Sequence, residues 1–440
     1  MRTIMAVSLF LAVASAARAD RSEERWIERT LRSMPVEEKI GQLLIPNIGG
    51  GFHSIDGDEF RKLQRWVTEL HVGGVHVASG QPPATALLIN DLQRLAKVPL
   101  LVTADLEGGA GFIFPGATRL PLAMAIGAAG SEELAYAAGK VSALEGKALG
   151  IGVDFYPVVD VQNNPRNPII NIRSFGEDPQ KVSALARAYI RGIQDAGMLA
   201  TAKHFPGHGD VATDSHLEMP VLDVTRERLD AIELAPFRAA IEEGVAAIMT
   251  AHIHLPALEQ QKGIPATLSR SVLTDLLRKN LRFEGLLFTD AMDMRAVSAN
   301  FSEEESSVRA IEAGADVVLF PRNPEIAFNA LRGAVESGRL SMSRLDEAVR
   351  RILRAKARAG LTCYRPADLD SLSRVLGSSA NRDVARRINE AALTLVRDEQ
   401  ASVPLRLDGD KRVLHVNLLD SRNGWREGPV GRVAAAELPK

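Results

Sequence analysis

The chain contains 440 residues, of which 46% are hydrophobic and 25% charged, with 35 glycines, 22 prolines and one cysteine. These values are typical of an ordinary globular protein and exclude collagen-like repeats, a disulfide scaffold and a largely disordered chain. Lys and Arg number 53 and Asp and Glu 55, so no basic surplus favours a nucleic acid as partner. We expect no nucleic-acid partner, and the length allows two or three domains or one large α/β barrel with an appended segment.

The N-terminus has the pattern of a secretory signal peptide. Arg2 precedes an apolar run over residues 4–14, and the small-residue sequence Ala17-Arg18-Ala19 follows that run. A run of this length is too short for a permanent membrane span. The sequence therefore predicts a leader, residues 1–19, that is cleaved after Ala19, and a secreted or periplasmic protein without a stable membrane anchor.

From about residue 36, short apolar runs alternate with longer amphipathic stretches, which is the pattern of repeated βα units. Helix signals lie between the runs: Asp178-Pro179 places an N-cap before a first-turn proline, and Ser302 begins a capping box. Eight such units predict a (β/α)8 barrel of the α/β class, with a doubly wound sheet as the alternative. The predicted strands are Gln42–Ile45, Gly74–Val77, Leu100–Ala104, Val153–Pro157, Leu199–Lys203, Ala246–Ala251, Gly285–Asp290 and Asp316–Phe320.

The barrel pattern ends with a helix predicted over residues 341–359. A stretch rich in Ser and Asp follows this helix. We therefore divide the chain after the leader into a catalytic barrel over 20–362, a linker over 363–383 and a C-terminal segment over 384–440. The last segment combines a helical pattern with a strand predicted over 412–418, which is how a second α/β sandwich domain would begin. Its length is close to the lower limit for an independent core, so we expect that domain to be truncated or reduced.

Histidines are concentrated in one part of the chain. Five of the nine fall between residues 204 and 254, and three of those lie in the loop that follows the fifth predicted strand. In a barrel, the loops after the strand C-termini form the active-site face. Asp214 and His216 are two residues apart, a spacing that lets the carboxylate reach the imidazole and stabilise its charged form. The pair is therefore a candidate acid/base, with a solvated polar loop as the alternative.

Other charged side chains lie at the ends of predicted strands. Asp290 ends the seventh strand, which makes it either a catalytic carboxylate at the barrel mouth or a cap of the next turn. Asp105 directly follows the third strand, where it can accept hydrogen bonds from adjacent sugar hydroxyls. The Glu107-Gly108-Gly109 sequence beside it lacks the spacing of a nucleotide-binding loop. Arg173 supplies a rigid guanidinium after the fourth strand, or pairs with nearby surface carboxylates.

His252 and His254 form a His-x-His pair at the end of the sixth predicted strand, a pattern that metal-dependent barrel hydrolases also use. Residues at i and i+2 of a strand project on the same face, so both rings could enter a cleft. The first predicted strand carries no histidine that would complete such a site. We therefore predict no metal and no other cofactor, with His252 lining the cleft and His254 structural or at its rim, and keep the metal-dependent hydrolase as an alternative.

Together these motifs resemble the glycoside hydrolase family 3 β-N-acetylglucosaminidases. The specific element is Lys203-His204-Phe205-Pro206-Gly207-His208-Gly209 with Asp214-Ser215-His216, and the similarity extends over nearly the whole barrel. The resemblance implies that Asp290 is the nucleophile, His216 the acid/base and Asp214 its partner. It further implies that the hydroxyls of the terminal sugar are held by Asp105, Arg173, Lys203 and His204.

By the same resemblance the protein is an exo-acting retaining hydrolase. Its expected substrate is terminal β-linked N-acetylglucosamine in cell-wall fragments or chitin oligosaccharides, and we expect a monomer. Transfer to phosphate at the same site is one alternative, because a neutral imidazole repels an anionic acceptor less than a carboxylate does. A non-catalytic sugar-binding protein is another, because Ala110 stands where the family usually has arginine and the second domain is short.

Overall fold

A computed structural model describes residues 21–399 of the chain. Its strands are β1 (Leu44–Ile45), β2 (Asn47–Gly50), β3 (Gly74–Gly80), β4 (Leu101–Ala104), β5 (Val153–Asp154), β6 (Leu199–Phe205), β7 (Ala247–Thr250), β8 (Leu286–Phe288) and β9 (Val318–Leu319). From β2 to β8 each strand pairs in parallel with the next one along the chain, and β1 pairs with β9. A bridge between Phe288 and Val317 joins β8 to the residue before β9, which closes the sheet.

This closed sheet is the (β/α)8 barrel that the sequence predicts. Only Pro46 separates β1 from β2, so the two strands together occupy one of eight positions. Each of the eight predicted strands overlaps an observed one. All seven residues of β6 are buried, because one side of each strand fills the barrel and the other packs against helices. A doubly wound sheet is open and leaves its two outer strands unpaired on one side. Here β1 pairs with β9 and the sheet closes, so the doubly wound alternative is wrong.

Helices surround the barrel, and their ends follow the local sequence signals. Asp178 accepts hydrogen bonds from the backbone N–H groups of Gln180 and Lys181 at the start of a helix, and Ser302 caps another through the N–H of Glu305, as predicted. No helix within residues 21–399 is long and apolar enough to span a membrane. The helices are α1 (21–33), α2 (Val36–Gln42), α3 (Asp58–Thr68), α4 (Pro82–Leu95), α5 (Ala123–Ala129), α6 (Glu132–Ala148), α7 (Pro179–Asp195), α8 (Arg226–Ala231), α9 (Ala235–Glu242), a π-helix (Ser271–Asn280), α10 (Arg295–Ser298), α11 (Glu303–Ala313), α12 (Pro324–Glu336), α13 (Met342–Arg358), α14 (Leu372–Val375) and α15 (Ser379–Ala391).

An aromatic cluster fills the barrel just below its carboxyl end. The ring of His76 stacks on Phe155 with centroids 5.3 Å apart and meets the edge of Phe320 at 4.6 Å. Phe155 in turn packs against Phe288 at 5.0 Å. These rings exclude water from the interior and give the carboxyl end a rigid floor, on which the loops that follow the strands are placed.

The chain packs against the barrel up to Leu393, beyond residue 362, where the sequence predicts the end of the barrel domain. The compact unit that contains the barrel extends to Leu393, because α15 lies on α5 and α6 with Ile388 fully buried. Glu145 of α6 accepts hydrogen bonds from Gly377 and Asn381. The helix predicted at the start of the C-terminal segment, α15, therefore lies in the same compact unit as the barrel. The leader over 1–19 and the strand over 412–418 lie outside the described residues.

Candidate active site

A cavity of about 690 Å³ opens at the carboxyl ends of the strands. Its walls come from the loops after β4, β5, β6 and β8, and Phe155 and Phe320 form part of its floor. A volume of this size suits a small-molecule ligand. The sequence-predicted site residues that line it are Asp105, Arg173, Lys203, His204, His216 and Asp290.

Asp290 follows β8 directly and is held by the backbone around it. Its N–H donates to Thr250 Oγ1 at 3.2 Å, and its Oδ1 accepts from the N–H of Ala291 at 2.8 Å. Burial acts to raise the pKa of this carboxyl, but the neighbouring imidazoles of His204 and His252 and the N–H of Ala291 outweigh burial and lower it. Asp290 is therefore an ionised carboxylate at neutral pH, which is the state that a nucleophile requires.

His252 supports Asp290 from behind and does not line the cavity. Its fully buried ring places Nε2 2.9 Å from the carbonyl oxygen of Ala291 and Nδ1 2.7 Å from Thr267 Oγ1. Burial lowers the pKa of His252, which favours the neutral ring, and its Nε2–H donates to the carbonyl. The Thr267 hydroxyl beside Nδ1 also donates to the carbonyl oxygen of Ala251 at 3.0 Å. Thr267 Oγ1 lies 2.7 Å from Thr250 Oγ1, which closes a hydrogen-bonded ring around the 290–291 turn.

The expected position of His252 in the cleft is thus corrected, and the reason lies in the strand. Alternation of side chains applies inside a strand, but β7 ends at Thr250, before the His-x-His pair. His254 is also buried and lies with Nδ1 3.0 Å from the carbonyl oxygen of Ile264. In the part of the chain that the structure describes, no group of three or more His, Cys, Asp or Glu side chains could hold a metal ion.

The Asp214–His216 pair forms on the loop after β6. His216 Nδ1 lies 2.8 Å from Asp214 Oδ1, and the same oxygen accepts the backbone N–H of His216 at 2.8 Å. Burial acts to raise the pKa of Asp214, but these hydrogen bonds outweigh it and the pKa is lowered. Because Nδ1 is engaged by the carboxylate, Nε2 is the atom left for the cavity. The side chain of His216 is 55% exposed, in contrast to the enclosed Asp290.

Two carboxylates, a lysine and an arginine form a cluster that lines the same cavity. Arg173 binds Glu107 through two hydrogen bonds, Nε to Oε2 at 2.9 Å and Nη2 to Oε1 at 2.8 Å. Lys203 Nζ lies 2.8 Å from Glu107 Oε1 and 2.6 Å from Asp105 Oδ1. Burial acts to raise the pKa of Glu107, but the charges of Lys203 and Arg173 hold it far below its usual range. Glu107 therefore stays ionised beside Lys203 and Arg173, and the 38% exposed Asp105 is placed to accept hydrogen bonds from hydroxyl groups.

Asp160 is a site residue that the sequence does not reveal. This fully buried carboxylate lies 2.7 Å from His204 Nδ1 and accepts the backbone N–H of His208 at 2.7 Å. The contact orients the His204 ring so that Nε2 lies 3.4 Å from Arg173 Nη2, on the cavity side. Glu107 is the second missed residue, since its partners are far away in sequence. An acidic residue in the otherwise apolar sequence Val158-Val159-Asp160-Val161 is the one signal that could have indicated a buried partner.

Ala110, at the position where an arginine is usual, is fully buried. Its methyl group does not line the cavity, whereas Phe112, two residues later, does. The guanidinium of Arg119 lies over the ring of Phe112, 4.9 Å from its centroid. This part of the rim is therefore formed by an aromatic ring that carries a cation on one face.

An ionised carboxylate and a histidine with its own carboxylate partner face one cavity at the carboxyl end of a (β/α)8 barrel. A carboxylate and a histidine that can donate a proton are groups that cleavage of a glycosidic bond can use, so the fold and the site fit the class of glycoside hydrolases. Residues 35–355 match the glycosyl hydrolase family 3 N-terminal domain. The chain belongs to this family, which confirms the resemblance read from its motifs.

Similar proteins agree with this assignment. The chain is 36% identical over 419 residues to the β-N-acetylglucosaminidase/β-glucosidase of Cellulomonas fimi, and the match covers 93% of this chain and 72% of that enzyme. Among solved structures, it is similar to a family 3 β-N-acetylglucosaminidase from Paenibacillus sp. str. FPU-7, with 40% identity, a TM-score of 0.76, and coverage of 83% of this chain and 70% of that one. It is also similar to the β-glucoside phosphorylase BglX, with 30% identity, a TM-score of 0.79, and coverage of 87% and 69%.

Proposed function

We propose that the protein is an exo-acting, retaining β-N-acetylglucosaminidase that removes terminal β-linked N-acetylglucosamine from cell-wall fragments or chitin oligosaccharides. The observation that carries the proposal is the Asp214–His216 pair, which faces the same cavity as Asp290. The names of two similar proteins, from Cellulomonas fimi and Paenibacillus, support the choice of sugar. The leader predicted over residues 1–19 supports action outside the cytoplasm. The proposed enzyme acts as a monomer.

In the first step, the carboxylate of Asp290 attacks the anomeric carbon. The glycosidic C–O bond breaks, and the departing oxygen takes the proton from His216 Nε2. The product is a covalent sugar ester on Asp290, and the rest of the oligosaccharide leaves as the aglycone. Asp214 stabilises the imidazolium before this transfer and fixes the tautomer after it.

In the second step, water takes the place of the aglycone. Neutral His216 accepts a proton from that water, whose oxygen attacks the anomeric carbon and displaces Asp290. Two inversions leave the sugar in its original β configuration. Asp105, Lys203, His204 and Arg173 hold the sugar hydroxyls through both steps, so that the anomeric carbon stays in line with Asp290.

The proposal is tested by sugar selectivity and by stereochemistry. We expect 4-nitrophenyl β-N-acetylglucosaminide to be turned over much faster than the β-glucoside, and proton NMR of the early reaction to show the β-anomer of N-acetylglucosamine. Chitotetraose with its reducing end labelled should release unlabelled N-acetylglucosamine first and leave labelled chitotriose. Equal turnover of the two sugars, or an α-anomer as first product, would contradict the proposal.

Phosphorolysis is the second candidate, and the imidazole at the acid/base position favours it. A phosphate dianion that approaches the ester on Asp290 meets a neutral ring there, whereas a carboxylate would repel it. The similarity to a protein named β-glucoside phosphorylase points the same way. Phosphorus NMR in phosphate buffer distinguishes the two: N-acetylglucosamine 1-phosphate supports this candidate, and unchanged rate and product on adding phosphate remove it.

A further inference from the structure

We propose that His208 and Ser215 are positioning residues that fix the acid/base pair relative to the nucleophile. Ser215 lies between Asp214 and His216, and its Oγ is 3.1 Å from His208 Nε2. Both residues are only 2% exposed and line the cavity beside His216, so this contact belongs to the wall of the site although His216 itself is exposed. The proposal rests on the proposed function, because it takes Asp214 and His216 as the acid/base.

His208 is anchored on the side away from the loop. Its backbone N–H donates to Asp160 Oδ1 at 2.7 Å, and the other oxygen of the same carboxylate lies 2.7 Å from His204 Nδ1. Burial lowers the pKa of His208 to about 4, so its ring is neutral when the enzyme works. Its Nδ1 has no hydrogen-bond partner among the described residues, so within residues 21–399 the contact with Ser215 is the one hydrogen bond of the ring.

Ser215 is also held through its backbone, from the opposite wall. The N–H of Ala296 donates to its carbonyl oxygen at 3.2 Å, and Ala296 belongs to α10, which begins five residues after Asp290. Ser215 thus joins the acid/base loop to the His204–Asp160 wall through its side chain and to the nucleophile loop through its main chain.

Asp214 and His216 bond to each other, and the carbonyl oxygen of Asp214 accepts the N–H groups of Leu217 and Glu218. These contacts set the internal geometry of the pair but not its distance from Asp290. Ser215 supplies that missing constraint. A displacement of about 1 Å of a catalytic group is enough to reduce a rate roughly 100-fold, so loss of the Ser215 hydroxyl should weaken proton donation more than sugar binding.

The test uses the dependence of kcat/KM on the leaving group. A methyl or N-acetylglucosaminyl aglycone needs a proton to depart, whereas a 2,4-dinitrophenyl aglycone does not. We expect Ser215→Ala to lower kcat/KM for chitobiose about 10-fold to 100-fold and to leave kcat/KM for the dinitrophenyl glycoside within about 3-fold. Ser215→Thr, which keeps the hydroxyl, should restore most of the loss, and KM should change little.

The matched control is Ser307→Ala, which removes a fully buried hydroxyl from α11 that has no partner within residues 21–399. This variant should keep both activities. A double-mutant cycle adds a second measurement: if His208 acts through Ser215, His208→Gln together with Ser215→Ala should lose little more than the larger single loss.

The outcomes separate the positioning role from the proposed function. Equal losses on both aglycones, or fully additive losses in the cycle, would show that Ser215 and His208 serve the fold alone. His216→Ala is measured in parallel: if its losses do not depend on the aglycone, the acid/base assignment itself fails. If His216→Ala shows the dependence and Ser215→Ala does not, the positioning proposal alone is wrong.

Discussion

Lys203 and Lys356 are both buried, at opposite ends of the barrel, and their pKa values shift in opposite directions. Burial acts to lower the pKa of Lys203, but the charges of Asp105 and Glu107 outweigh it and raise that pKa. Lys356 of α13 donates to Gln42 Oε1 at 2.5 Å, just before β1. An amide oxygen does not compensate a buried charge, and burial lowers the pKa of Lys356 to about 7.

The difference shows what each end of the barrel contributes. At the carboxyl end, charges are kept because each one has a charged partner and a ligand to hold. At the amino end, a charge without an acidic partner binds nothing and only reduces stability. Substitutions at the carboxyl end should therefore lower the rate, whereas those at the amino end should change the free energy of unfolding and leave the rate alone.

The largest effect is expected at the nucleophile. Asp290→Asn should lower kcat/KM for the N-acetylglucosaminide on the order of 10⁴-fold, because an amide does not attack the anomeric carbon. The amide oxygen can still accept the N–H of Ala291, so the melting temperature should stay within about 3 °C. Steady-state kinetics and thermal unfolding check both parts.

Asp293→Asn is the matched control for this change. Asp293 is a nearby carboxylate that does not line the cavity, so this variant should retain most of the activity. Loss of activity in both variants to the same extent would remove Asp290 from the nucleophile role.

A smaller loss is expected at the partner of the acid/base. Asp214→Asn should lower kcat/KM for chitobiose roughly 100-fold, because the neutral amide no longer stabilises the imidazolium of His216. The dinitrophenyl glycoside should be affected much less. Since both side chains are at the surface of the loop, with Asp214 25% exposed, unfolding should be unchanged. A loss that is the same for both substrates contradicts this role.

Glu107 should affect both rate and stability. Glu107→Gln leaves Lys203 and Arg173 with one carboxylate fewer, so we expect kcat/KM to fall about 10-fold to 100-fold and unfolding to become easier by about 3 kcal/mol. Kinetics at a temperature where the variant is folded, and denaturant unfolding, give the two values.

Glu145→Gln is the comparison for this substitution, because Glu145 is equally buried but accepts hydrogen bonds from neutral donors away from the cavity. It should lose stability and keep its kcat/KM once folded. A matching loss of kcat/KM in this variant would show that burial, and not the contact with Lys203 and Arg173, explains the effect at Glu107.

The barrel and the acid/base pair could be predicted because their signals are local. A cap such as Asp178 acts on residues two and three positions away, and Asp214 reaches His216 within one turn. Glu107 and Asp160 were missed because their partners lie 66 and 44 residues away, and no local pattern encodes such contacts. His252 was misplaced because the alternation of a strand was extended beyond the residue where the strand ends.

The substitution expected to change the rate least lies at the amino end of the barrel. It should stabilise the protein, whereas the substitutions of Glu107 and Glu145 should destabilise it. Lys356→Met fills the same space without a charge and should raise the free energy of unfolding by about 1 to 4 kcal/mol near pH 7. Met offers no hydrogen-bond donor to Gln42 Oε1, and the loss of this hydrogen bond reduces the gain in stability. Lys39→Met is the control at the same end, since Lys39 is paired with Asp346 at 2.6 Å, and its removal should bring no gain. Both variants should keep the activity of the wild-type protein.

The pH dependence of that gain identifies its cause. The pKa of Lys356 is about 7 in the folded chain, against an ordinary value of 10.5. Between these values the unfolded chain holds a proton that the folded chain has released, so the stability of the wild-type protein rises with pH across this window. The advantage of Lys356→Met should therefore be largest at and below pH 7 and shrink as the pH approaches 10.5. An advantage that does not change with pH would assign the gain to packing, and the contrast with Lys203 would then no longer rest on charge.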